Sequence, residues 1–434
     1  MIRLALALIL LAAPAMADPS AFGCKFTATA SDLPAIEGRN GMFFRVQSDL
    51  RMQHPVEEAV VAQMGRLSAA LAERGTRLIY LLVPTKGMAM PQYLPPEAAD
   101  YLFDPDVARA LYFDDIARLT AAGVTAPDML TTLSDAPPDA PPFFQTDFHW
   151  TAAGARTTAR ALGAVIAADP FAAGLPRATF TTTQGPPGET FSSMRRTLQA
   201  FCRDQLPRVE ALTQITTKTD APANLVADIF ASDEEAVQIV LVGTSFSDAP
   251  LGNFAGYLSE FSRLDVVNYA VTGGNQFGAI TSYLTSRDFA ETAPRFLIWE
   301  NPIYNNLAQY GPDAMEELIT AASNDCTTAL TTTTPTPTTL HADLTGVSLA
   351  EADSLLADAG ADGARAAEFR FETASGLIRT ALVQRTDRML ASGRFFKPLA
   401  TLWHPDFTRL TVTFDRELGQ SATLSLCSAQ KAPQ

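Results

Sequence analysis

The chain has 434 residues, 47% of them apolar and 18% charged, enough to bury a large core and divide into two or more domains, which excludes a mainly disordered protein. Its formal charge of −15 repels nucleic acid and anionic lipid at long range, so no nucleic-acid partner is expected. The longest uncharged apolar stretch, Leu4 to Ala17, is shorter than the roughly 20 residues of a membrane-spanning helix.

That stretch is the first element in chain order. Arg3 precedes it and Ala15-Met16-Ala17 ends it in a small-x-small pattern, so residues 1–17 read as a secretory signal peptide and the mature chain as exported. Removal of Arg3 takes the charge from −15 to −16. In an oxidising compartment the four cysteines, Cys24, Cys202, Cys326 and Cys427, suggest structural disulfides, and three pairings are open. Their spacing offers no CxxC and no ligand cluster, so no zinc or redox site is expected, and with no glycine loop for a nucleotide or CoA phosphate no cofactor is expected either.

Val56 to Arg74 reads as a helix and Arg77 to Val83 as a buried strand. The proline-rich segment Thr131 to Phe143 reads as a loop, and Thr151 caps a helix running to Ala168. Val237 to Val242, Asp265 to Tyr269 and Arg295 to Trp299 are further strands. Continuous apolar strands alternating with Ala-rich helices predict an α/β domain with a mostly parallel sheet, whose sites lie at the strands' carboxyl ends. After Cys326 a Thr/Pro tract, Thr331 to Thr339, reads as a linker or an edge strand and marks the boundary between residues 18–325 and 326–434. Arg365 to Phe371, Gly376 to Val383, Thr408 to Phe414 and Ala422 to Leu426 are short β-type runs that predict a small all-β sandwich. From Gly363 to Gln434, ten Lys/Arg stand against six Asp/Glu, a local excess of +4 suited to an anionic ligand.

Three segments carry chemistry. In Thr146-Asp147-Phe148-His149-Trp150 an Asp-x-His pair can set the carboxylate of Asp147 against Nδ1 of His149, leaving Nε2 free as a base. The buried run Val237 to Val242 ends in Gly243-Thr244-Ser245-Phe246-Ser247, a strand–turn–helix junction that presents a serine hydroxyl. Ser245 is the candidate nucleophile and Ser247 a weaker alternative. In Gly273-Gly274-Asn275 the N–H of Gly274 and the amide of Asn275 are candidate oxyanion donors.

Taken with Gly41-Met-Phe-Phe, Val83-Pro-Thr-Lys86 and Phe296-Leu-Ile-Trp-Glu-Asn-Pro302, these motifs resemble, in this order, the SGNH-hydrolase-like domain of the periplasmic alginate O-acetyltransferases and related polysaccharide acetyltransferases. The Asp-x-His element precedes the serine, the reverse of ordinary SGNH esterases. The resemblance implies a Ser245–His149–Asp147 triad, with Lys86 and Tyr304 near the substrate. It also implies a C-terminal carbohydrate-binding module and disulfides joining Cys24 to Cys202 and Cys326 to Cys427. Within that module Trp403, Arg394, Lys397 and Arg409 are candidates to grip an anionic polysaccharide, Trp403 being equally compatible with core packing. The expected partners are a polysaccharide acceptor, a membrane-bound acyltransferase that delivers the acetyl group, and a polysaccharide export complex. The rival readings are a carbohydrate acetylesterase of the same fold and a non-catalytic polysaccharide-binding component of export.

Overall fold

The structure, a computed structural model, describes residues 20–54, 56–219 and 237–428; the expected signal peptide lies outside the described residues. Four strands form the central sheet: β1 (Arg77–Val83), β2 (Ile239–Val242), β3 (Val266–Asn268) and β4 (Phe296–Pro302). They are ordered β1-β4-β2-β3 and every pairing is parallel. Every residue of β2 and β4 is buried, because helices cover both faces.

Helix α1 (Glu58–Glu73) turns Val60, Met64, Leu67 and Leu71 into the core at the spacing of one helical face. Helix α2 (Ala152–Ala168) begins as expected at Thr151, whose hydroxyl accepts the Gly154 N–H at 3.2 Å. The proline-rich segment is not loop throughout: Asp128 caps a short helix, Met129–Ser134, and only the residues after it are irregular.

One element was not legible from the sequence. An antiparallel ribbon pairs Phe180–Glu189 with Glu210–Lys218, and α3 (Ser193–Gln199) lies between its strands in sequence. Its strands are largely exposed and rich in polar residues, the first also containing Gly and Pro, so they lack the apolar signature of the central sheet. The Cys24–Cys202 disulfide ties the start of the described chain to this insertion. Helix α4 (Ser245–Asp248) follows β2, and α5 (Asp313–Ser323) closes the α/β part.

Beyond Cys326 the chain builds two antiparallel sheets. One has five strands in the order Thr332–Thr336, Thr339–Asp343, Phe407–Phe414, Ala366–Thr373, Ile378–Gln384; the other has four, Arg394–Pro398, Ser354–Asp358, Thr423–Cys427, Thr328–Ala329. Leu340, Phe369, Leu410 and Val412 from the first sheet and Leu355, Phe395 and Leu424 from the second share one core. The Thr/Pro tract is the edge strand of the larger sheet, where proline's missing N–H costs no ladder bond. Cys326 is bonded to Cys427 on the smaller sheet.

The smaller sheet is covered on its other face too. Leu356, Phe396 and Cys427 join the core of the α/β part, and α5 packs against Arg394–Pro398. This seam corrects two expectations. Arg394 and Lys397 are both buried, Arg394 donating to the Ser286 carbonyl at 3.0 Å and facing Asp358, Lys397 paired with Asp313. A cation buried inside a packing interface cannot grip a surface polysaccharide. Arg385 lies in the same seam, paired with Glu317 of α5.

Candidate active site

The strand β2 is Ile-Val-Leu-Val, and its last residue hands the chain to Gly243 and Thr244. Thr244 caps α4 by accepting the Phe246 N–H at 3.3 Å. Ser245 is the first helical residue, so its N–H has no acceptor within the helix. Its side chain is half-buried, whereas Ser247 is buried with its hydroxyl donating to Glu300 at 3.0 Å. Ser247 is therefore not an accessible nucleophile.

The second segment arrives from a loop closed by the Thr151 N–H donating to the Pro142 carbonyl at 2.9 Å and the Phe144 N–H to the His149 carbonyl at 3.1 Å. Within it Asp147 Oδ1 accepts from the His149 N–H at 2.8 Å and lies 2.5 Å from Nδ1. With Nδ1 donating to the carboxylate, Nε2 is left to accept from the Ser245 hydroxyl, 2.7 Å away. Three side chains from segments 96 residues apart thus form one hydrogen-bonded chain. Trp150 fastens the two segments, its Nε1–H donating to the Phe246 carbonyl at 2.8 Å. Phe148 and Phe246 flank the imidazole, with ring centroids 4.2 and 5.0 Å from it.

Burial opposes the charge on Asp147, but hydrogen bonds from His149 and Ser192 and the nearby imidazole hold its carboxyl down at about 2. Ser192, which sequence reasoning missed, donates to Oδ2 at 2.5 Å. Nothing in a lone serine 45 residues downstream signals this contact.

Lys86, expected near the substrate, is fully buried beneath the loop. Its ammonium donates to the carbonyls of Phe144 (2.5 Å), Gln145 (3.1 Å) and Asp147 (3.1 Å), so it holds the backbone that carries the Asp-x-His pair. Burial pushes it down to about 7, against the pull of Asp49 and Asp147.

Tyr304 lies face-on to Arg45, whose guanidinium sits 4.4 Å from the Tyr304 ring and 4.2 Å from Phe148. Arg45 is forked onto Asp49, with Nε and Nη2 each 3.2 Å from a carboxylate oxygen. Burial works against its charge, yet Asp49 and Tyr304 keep the guanidinium above its ordinary value. Burial also pushes the Tyr304 phenol up to about 12, although Arg45 pulls it down. Arg45 and Asp49 are two further residues missed in the sequence, though Arg45 directly follows the quoted Gly-Met-Phe-Phe run.

The loop after β3 is tied to the turn that carries Ser245: the Val271 N–H donates to the Gly243 carbonyl at 3.1 Å and the Thr272 N–H to Asp248 at 2.9 Å. The Gly274 N–H, however, donates to the Val271 carbonyl at 3.1 Å and closes a turn, so it is not free to bind an oxyanion. Asn275 is exposed in the left-handed region (φ 55°), its side-chain oxygen accepting the Phe277 N–H at 2.8 Å. As the first residue of α4, Ser245 offers its own N–H at the turn, outside the helix's internal hydrogen bonds.

Beneath the turn stands Glu300, completely buried, accepting from the Thr244 N–H at 2.8 Å and from the Thr244 and Ser247 hydroxyls. Burial pushes its carboxyl up to about 7, against these hydrogen bonds. A charged residue directly after the apolar run Phe-Leu-Ile-Trp was the signal available for it.

In the C-terminal region Trp403 packs half-buried against the sandwich core, and its buried Nε1–H finds no acceptor among the described residues. Arg409 is exposed on the larger sheet beside Glu372. The described residues contain no cluster of three or more His, Cys, Asp or Glu able to hold a metal ion.

The family described as "SGNH hydrolase-like domain, acetyltransferase AlgX" matches residues 35–303, more than half of the chain. The alginate biosynthesis protein AlgX of Pseudomonas fluorescens is 32% identical over 275 residues, 62% of this chain and 56% of that protein, so the chain spans little more than half of that relative. The probable alginate O-acetylase AlgJ of Pseudomonas aeruginosa is 31% identical over 270 residues, 59% of this chain and 67% of that one. Among solved structures, Pseudomonas aeruginosa AlgX shares the fold over 94% of this chain and 97% of its own, with a TM-score of 0.76 at 22% identity. The O-acetyltransferase domain of Pseudomonas putida AlgJ covers 66% of this chain and 98% of its own, with a TM-score of 0.54 at 25% identity.

Proposed function

Because the chain belongs to the family of the SGNH hydrolase-like acetyltransferase AlgX, we propose that it is an exported O-acetyltransferase that moves an acetyl group through acetyl-Ser245 onto hydroxyls of an anionic, alginate-like polysaccharide. The observation that carries the proposal is the unbroken chain from Asp147 through His149 to Ser245. In the first step Nε2 takes the Ser245 proton as Oγ bonds to the acetyl carbon, and the imidazolium returns that proton to the departing donor group. In the second, a sugar hydroxyl gives its proton to Nε2 and attacks the acetyl carbon, and Ser245 Oγ leaves and recovers the proton. The negative charge on the carbonyl oxygen in each step is met by the Ser245 N–H. Asp147 fixes the tautomer and offsets the imidazolium charge.

Transfer requires the acceptor to outcompete water, so the polymer must be held against the site. In this reading residues 326–434 form the module that holds it, with Trp403 and Arg409 as its surface contacts. The donor reaches Ser245 from a membrane-bound acyltransferase, and the protein works in the periplasm beside a polysaccharide export complex.

Purified protein given an activated acetyl ester and an oligouronate should yield acceptor heavier by one acetyl group, and Ser245→Ala should abolish it. Persistent acetylation by Ser245→Ala removes the nucleophile assignment. One observation favours a second reading: the His149 side chain is 21% exposed, open to water when no acceptor covers it. An acetylesterase would release acetate with no gain in acceptor mass.

A further inference from the structure

Glu300 is the fifth residue of β4, following Phe-Leu-Ile-Trp, and every residue of that strand is buried. A carboxyl group placed there loses its hydration, and its protein partners must replace it. No lysine or arginine among the described residues pairs with it. Its hydrogen bonds come instead from the segment that carries Ser245: the Thr244 N–H at 2.8 Å, the Thr244 hydroxyl at 3.1 Å and the Ser247 hydroxyl at 3.0 Å. These donors bracket Ser245 on both sides.

Gly243 completes the arrangement. A Cβ on it would lie 2.5 Å from Glu300 Oε2 and 2.9 Å from Glu300 Cβ. Its φ is not in the left-handed region, so a side chain is excluded by the closeness of Glu300, and no backbone strain is involved.

We infer that Glu300 is a positioning residue for acyl transfer: by holding Thr244 and Ser247 it clamps the turn on either side of Ser245 and keeps Oγ within hydrogen-bond reach of His149. This rests on the reading of Ser245 as nucleophile. The mechanism above needs Oγ at 2.7 Å from Nε2, and the clamp is what restricts that distance.

The test uses the full mature chain and a fluorophosphonate probe, which labels an activated serine without donor or polymer, together with aryl acetate turnover and thermal melting. Assayed at pH 8 to 9, where the parent carboxyl is ionised, Glu300→Gln keeps the shape but sets an amide against three donors. It should lower the Ser245 labelling rate and kcat alike, about tenfold or more, with KM unchanged and a cooperative melt retained. Gly243→Ala, which displaces the carboxyl without removing it, should lose activity in the same sense, and Ser247→Ala should fall between it and the parent. Labelling of Glu300→Gln at the parental rate, or a loss that only follows the unfolded fraction, overturns the inference. Should Glu300→Gln not fold, parental labelling in both Gly243→Ala and Ser247→Ala overturns it. Ser245→Ala separates the two levels: if it is still labelled, the nucleophile reading fails and the clamp with it; if it is silent while Glu300→Gln matches the parent, the clamp alone fails.

Discussion

Ser192 Oγ donates to Asp147 Oδ2 at 2.5 Å, the carboxylate oxygen that His149 leaves open. The same hydroxyl accepts the Arg195 N–H at 3.0 Å and so caps α3. One side chain thereby links the insertion carrying the Cys24–Cys202 disulfide to the acid that orients the imidazole. Removing it should affect helix and site together.

Ser192→Ala should cost about 1–3 kcal/mol of stability, combining a lost cap with a lost charge-assisted hydrogen bond. It should also lower kcat several-fold as Asp147 gains freedom. Asp147 sits at about 2, below its ordinary 3.8, so its contribution is complete above about pH 5 and lost as pH falls toward 2. The variant should show a smaller acid-induced loss over that window, read from urea midpoints at pH 5 and pH 3.

Lys86→Met leaves the Phe144, Gln145 and Asp147 carbonyls without their shared donor. Turnover should fall about tenfold or more through the loosened His149 loop. The parent's pH dependence has a definite sign. Between pH 7 and 10.5 the unfolded lysine keeps a proton that the folded one has lost, so parental stability rises with pH there. The variant lacks this rise, and midpoints at pH 7 and 9 test it.

Glu300 titrates in the opposite sense. Its carboxyl is raised from 4.5 to about 7, so between these values the folded protein holds a proton that the unfolded chain has released. Parental stability should fall relative to Glu300→Gln as pH rises from 4.5 to 7, by roughly 3 kcal/mol at most. Paired urea melts across that range give the difference directly.

Arg385 and Glu317 form a buried pair across the seam between the sandwich and α5. Arg385→Met strands a buried carboxylate and should destabilise by about 3–5 kcal/mol, whereas Arg385→Met with Glu317→Leu should recover most of the loss. A double-mutant cycle by denaturant unfolding checks this. Equal losses in the single and double variants would count against a desolvated pair.

The strand Arg77–Val83 and the first part of Phe296–Pro302, expected as Arg295 to Trp299, were legible because burial on both faces leaves an apolar run. The ribbon at Phe180–Glu189 was not, since its exposed strands need only pair with each other. In the site, Asp147 and His149 stand two residues apart, and the turn that joins them is a local property of Asp-x-His. Lys86 and Gly274 were misread for one reason: the chain had named the groups without showing which partners already occupied them.

The sequence by itself determined the short-range features: a strand ending at Val242, a turn through Gly243 into a helix, an acid two residues from an imidazole. These follow from side-chain pattern and backbone chemistry over a few residues. Only the tertiary structure decided that Ser192 bonds the second oxygen of Asp147, that Glu300 lies under the Ser245 turn and that Arg394 and Lys397 face inward. Each of these depends on a meeting between segments 36 or more residues apart, or on which sheet face is covered, and both are set by the packing of the whole chain.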